Sequence, residues 1–172
     1  MTEIIRLFAQ IALLRRGPQD LPASPLLLIL TLAAYLVVSF LLSAVLPPTK
    51  GWAGPLLIDA LFTLVWYVVL LRLVGRPERT LQTATAVFGL QAVLAPLSVT
   101  SEWLARHFGE DATWQVPVTC IALALIAWLI AANGRIVKAA LEWSGTASVA
   151  LVILQMLAGW LLLLALFPPA ST

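Results

Sequence analysis

The chain has 172 residues, of which 62% are hydrophobic and only 10% charged, with a formal net charge of +2. A soluble domain carries about 25% charged residues, and one this apolar would expose patches far above the few hundred Å² found on monomers. A soluble fold is therefore excluded, and the basic residues, scattered in small groups without interleaved stacking aromatics, exclude a nucleic-acid-binding face. The mean hydropathy of +1.01 reads instead as a single-domain, all-α integral membrane protein.

The first elements in chain order are an amphipathic segment and a turn. At 100° per residue, Ile4, Ile5, Phe8, Ile11 and Ala12 share one face of residues 3–16, and Glu3, Arg6 and Gln10 share the other. Such a helix is too short to span and is predicted to lie in the inner membrane interface, its apolar face toward the acyl boundary. The alternative is a helix packed on a partner's surface. Arg15 and Arg16 are expected in its last turn, where the helix dipole favours cations, with Gly17-Pro18 ending it. Ser24 is expected to cap the first span, with Pro25 at its first position. A secretory signal peptide is not expected: the apolar run is too long and "LPPTKGW" offers no A-x-A-like cleavage site.

A spanning helix needs about 20 apolar residues, and five segments qualify: 26–46, 55–71, 81–100, 114–132 and 146–167. Pro47–Pro48 and Pro168–Pro169 are expected to stop the first and last. The second span carries Asp59, the one acid inside a predicted span. An ionisable group there is a functional-site hypothesis by default, yet Asp59 lies only about 6 Å past Pro55 at 1.5 Å per residue. An interfacial acid near the positive end of its helix, with Arg106 or Lys50 as candidate partners, is the favoured reading. The third span is the most polar, with Gln82, three threonines, Gln91 and Pro96. The fourth contains the only cysteine, Cys120, which reads as a small core residue and excludes a disulfide. The fifth contains Gln155. Gln91 and Gln155 are deep amides suited to bonding across helices, or to lining a polar pathway at the Pro96 break. Small residues four apart, Ser39/Ser43, Thr85/Gly89, Ala127/Ala131 and Ser144/Ser148, permit close helix approach.

Charge sets the orientation. Five spans place Arg6, Arg15, Arg16, Arg72, Arg76, Arg79, Arg135 and Lys138 on one side, eight in all, and only Lys50 and Arg106 on the other. Basic residues in short loops stay cytoplasmic, so the N-terminus is expected inside and the C-terminus outside. Tryptophans agree: Trp52, Trp103 and Trp114 fall at the outer boundary, Trp128 and Trp143 at the inner one.

Catalytic signatures are missing. There is no HExxH, GxSxG, Walker A or glycine-rich dinucleotide turn, and no span pairs a nucleophile with a base. His107, with Glu102, Glu110 and Asp111 nearby, reads as a solvated loop, because one histidine and mobile carboxylates do not specify a metal. No cofactor is expected.

The five spans, the amphipathic N-terminus, the "RRGPQDLP" approach to the first span and the polar loop "NGRIVKAALEWSG" before the last resemble bacterial members of the Yip1-type family. The resemblance covers most of the chain as a pattern of segments. It implies a non-enzymatic integral membrane protein and supplies no catalytic residue. Vesicle-trafficking roles of eukaryotic members rest on longer cytosolic N-termini, which this sequence does not contain. The expectation is a bacterial inner-membrane protein acting by association with other membrane subunits or with itself, as a scaffold, assembly factor or accessory subunit. The alternative is a small transporter or channel using Asp59, Gln91 and Gln155.

Overall fold

A computed structural model of the chain describes residues 2–43, 53–109 and 111–168, with side chains throughout except at 2–5 and 42–43. Lys50, Trp52, Pro47–Pro48, Glu110 and Pro169 lie outside the described residues, as do the side chains of Glu3, Ile4, Ile5 and Ser43. Among the described residues every regular element is helical: α1 Thr2–Ala12, α2 Pro25–Ser43, α3 Ala53–Leu73, α4 Thr80–Phe108, α5 Gln115–Leu141 and α6 Gly145–Leu166. Short 3-10 turns at Pro18–Asp20 and Pro77–Arg79 join them.

Among the described residues four helices, α3 to α6, are long and apolar enough to cross a membrane. Their surface pattern is the inverse of a soluble bundle. On α3, Leu57, Leu61, Val65 and Val69 recur every fourth residue and stay largely exposed, while Ala60 and Thr63 turn inward. Small and weakly polar residues fill the helix contacts because lipid competes for large apolar side chains but cannot fill a close backbone approach. At Gly134 a β-carbon would stand 3.0 Å from Val149 Cγ2, so glycine sets the α5–α6 spacing there. Cys120 faces outward on α5 and is exposed, contrary to its reading as a core residue.

The most polar predicted span is the centre of the molecule. α4 runs 29 residues, about 43 Å at 1.5 Å per residue, and packs against α1, α2, α3 and α5. Every residue from Thr83 to Leu90 is buried. A helix wrapped by protein needs no lipophilic exterior, which explains its threonines, alanines and glutamines. Ser24 caps α2 as expected: its hydroxyl accepts the Leu27 N–H at 3.4 Å, with Pro25 leading the helix.

The N-terminal helix departs from expectation in two ways. It ends at Ala12 rather than near Arg16. Leu14 takes a left-handed conformation at φ 60°, the Arg15 N–H bonds Gln10 O at 2.8 Å, and the Leu14 N–H bonds Ile11 O at 3.0 Å. This is a Schellman stop with leucine where glycine usually sits, so the sequence does not announce it. The described part of its apolar face, Phe8, Ile11 and Ala12, also meets protein, not lipid. Phe8 and Ile11 are 6% and 2% exposed, packed with Tyr67, Leu71, Leu90 and Ile136. Gly89 makes room: a β-carbon there would lie 2.1 Å from the Phe8 ring. Arg6, on the other face, is exposed as predicted.

Candidate functional site

Tight packing is concentrated around α1 and the adjoining ends of α3, α4 and α5, where the main apolar cluster lies. Next to it the bundle is less filled, and a cavity of about 400 Å³ opens among α2, α4, α5 and α6. α4 supplies one wall from Val87 to Glu102, a rise of about 22 Å at 1.5 Å per residue. That is most of the roughly 30 Å hydrocarbon core. Val87, Leu94 and Val152 belong to the packed cluster and close the cavity on that side.

The polar groups converge from different helices. Gln91 comes from the middle of α4 and Gln155 from the middle of α6, and both line the cavity. Gln91 Oε1 is buried and has no hydrogen-bond partner among the described residues. Asn133 enters from α5, its amide nitrogen donating to Leu129 O at 2.9 Å. Ser98 lies a further two turns along α4 and donates to Leu94 O at 3.3 Å. Pro96 stands between Gln91 and Ser98 inside the helix, and as proline it leaves the carbonyl four residues back without its ladder N–H.

Asp59 is joined to this site through one intermediary. The Tyr35 hydroxyl donates to Asp59 Oδ2 at 3.2 Å across α2 and α3. The Tyr35 ring packs on Phe88 with centroids 5.7 Å apart and forms part of the cavity wall. The expected partners of Asp59 were Arg106 or Lys50. Arg106 instead pairs with Glu102 one helical turn away at 2.5 Å, because i,i+4 neighbours on an exposed helix end meet at no cost in chain geometry. Tyr35, Asn133 and Ser98 were not singled out from sequence. Tyrosine and serine inside a span carry no distinguishing spacing, and Asn133 sits at the predicted span edge.

At the far end of α4 an aromatic group gathers. Trp103 packs on His107 at 4.4 Å and on Phe108 at 6.0 Å, and Phe108 meets Trp114 at 6.0 Å. His107 Nδ1 lies 3.0 Å from Trp103 O, so the histidine is engaged locally. No group of three metal-ligating side chains occurs among the described residues.

The opposite end carries the topology anchors. Arg76 and Arg79 each take one oxygen of Glu142, at 2.7 and 2.6 Å. Arg79 also donates to Ala139 O and Ala140 O at 2.9 and 3.2 Å, covering the last carbonyls of α5. Gln82 donates to Leu21 O at 2.8 Å, and Trp128 Nε1 to Ala12 O at 2.9 Å. The segments bearing Arg15 and Arg16, Arg76 and Arg79, and Lys138 are thus tied together at one end of the bundle. Hydrogen bonds from Arg76 and then Arg79 hold the Glu142 carboxyl down at about 2, and the bond to Glu142 raises Arg76.

Set against family models, curated proteins and solved structures, the chain matches none of them.

Proposed function

We propose that this protein is a non-enzymatic, five-span protein of the bacterial inner membrane that binds a small amphipathic solute in its intramembrane cavity and passes it along the bundle. The observation that carries this reading is the convergence of Gln91 and Gln155 on one cavity, with Asp59 coupled to its wall through Tyr35. A cavity of about 400 Å³ with a mostly apolar lining and a few placed amides and hydroxyls is the usual form of a small-molecule site. Buried amide oxygen without a partner costs about 1–3 kcal/mol, which a donor on the solute would offset. In this reading α2 supplies the fifth span, its Pro25–Leu41 stretch being apolar but for Thr31, Tyr35 and Ser39. The basic segments gathered at one end favour a cytoplasmic placement of that end and of the N-terminus, with the C-terminus in the periplasm.

The pattern-level resemblance to Yip1-type proteins supports the membrane and non-enzymatic parts of the proposal. A second reading, association with another membrane subunit or a second copy, is favoured by α5 and α6, which leave most of their apolar surface outside the bundle.

Cysteine accessibility tests the solute path. In a Cys120→Ala background, single cysteines at Gln91, Ser98 and Gln155 should react with a small, membrane-impermeant thiol reagent in intact vesicles. A cysteine at Leu161, which is 58% exposed on the apolar surface, should not. If the three cavity positions prove as inert as Leu161, the path is absent and the association reading stands alone.

A further inference from the structure

We propose that the protein carries a specific site for the phosphate of an anionic phospholipid, in a recess between the segment after α1 and the α5–α6 turn. The recess, about 840 Å³, is separate from the intramembrane cavity, and the proposal does not rest on the solute reading. Four cations line it: Arg15 and Arg16 from the turn after α1, and Arg135 and Lys138 three residues apart on one face of α5. All four are exposed, and none is in an ion pair with a described residue.

The acids in the recess do not neutralise them. Glu142 is committed to Arg76 and Arg79, one oxygen to each. Asp20, though exposed, engages its own loop, where Oδ2 accepts the Gly17 N–H at 3.2 Å. The negative end of the α5 dipole, which would repel an anion, is covered by Arg79 on Ala139 O and Ala140 O. What faces outward is therefore a concave arrangement of four positive charges held by two different elements.

The rest of the lining selects a lipid over a free ion. Trp143 and Val149 border the recess beside the cations, and Gly134 lets α5 and α6 close behind it. Indole and valine beside a phosphate-binding group suit the glycerol and upper acyl carbons of a lipid at headgroup level. Basic pockets between helices at a membrane surface bind anionic headgroups on these grounds.

Native mass spectrometry of the full chain extracted from equimolar phosphatidylglycerol and phosphatidylcholine tests the proposal. Phosphatidylglycerol should be retained in preference. Each of Arg135→Gln, Lys138→Gln and the pair Arg15→Gln/Arg16→Gln should lower that preference, by about fivefold per charge, the ratio corresponding to about 1 kcal/mol. Arg106→Gln, at the other end of α4, should leave it unchanged and serves as the control for general charge and for folding. Equal retention of the two lipids overturns the site, as does an equal loss in Arg106→Gln. Release of the bound phosphatidylglycerol by 10 mM inorganic phosphate would assign the recess to free phosphate and overturn the lipid.

Discussion

Three residues at one end of the bundle adopt left-handed backbone, Leu14, Gly75 and Glu142. Only Gly75 is readable in advance, since glycine takes φ above zero without a steric cost. Glu142 holds its φ of 57° because both of its oxygens are gripped. Its carboxyl is lowered from 4.5 to about 2, so its contribution to stability is complete above pH 4.5 and is lost as the pH falls toward 2. The melting temperature of the wild type in detergent should therefore fall more between pH 5 and pH 2.5 than that of Glu142→Gln. Parallel curves for the two proteins would count against the clamp. Thr85 offers the reverse case. It is fully buried and its hydroxyl finds no partner among the described residues, whereas the Thr83 hydroxyl donates to Arg79 O at 2.8 Å. Thr85→Val should raise stability by about 1 kcal/mol by removing an unmet polar group of nearly the same shape. Thr83→Val should give no such gain. Chemical denaturation of both variants in the same micelle checks this.

The helices were legible where composition is extreme. The apolar runs give α2, α3, α5 and α6, and Ser24-Pro25 gives the start of α2. Two things were hidden. The burial of α1 depends on a contact between Phe8 and Gly89, 81 positions apart in sequence, which no local periodicity encodes. The cavity depends on which way Gln91 and Gln155 face, and a hydrophobic span shows no amphipathic face from which to read rotation. Legible from sequence were the deep amides themselves and the Thr85/Gly89 spacing; the latter is where α1 docks. Gly89→Val should therefore drive the Phe8 ring out, at a cost of about 1–3 kcal/mol for overpacking. The readout is protease cleavage near Arg6, which should quicken in Gly89→Val and stay slow in Gly145→Ala, where an added β-carbon meets nothing within 4 Å. Unchanged cleavage in Gly89→Val would mean that α1 is held elsewhere.

For the molecule as a whole, the five-span reading sets a definite polarity. A C-terminal alkaline phosphatase fusion should be active and a C-terminal green fluorescent protein fusion dark, since one lies outside and the other matures only inside. The opposite pair of results would require an even number of crossings. The packing around α1 and the cavity beside it also divide the bundle into a rigid region and a yielding one. Amide hydrogen exchange should be slowest at Thr83–Leu90 of α4 and faster past Pro96, where the cavity leaves the helix less supported.

The central place of α4 bears on how the chain is made. A helix that is polar because its neighbours surround it is a poor candidate for entering the bilayer unaided. Among the described helices of membrane length it is the least apolar and the most buried, so at the moment of synthesis it faces lipid with groups suited to protein. α2, its closest packing partner, and α3 precede it in the chain and are available to receive it. Biogenesis would then be ordered: α2 and α3 wait at the insertion site until α4 joins them, and α5 follows. Presented alone as a test segment in a glycosylation-mapping insertion assay, residues 77–108 should integrate inefficiently, and adding residues 25–76 upstream should raise the inserted fraction severalfold. Efficient insertion of the isolated segment would remove any need for that order.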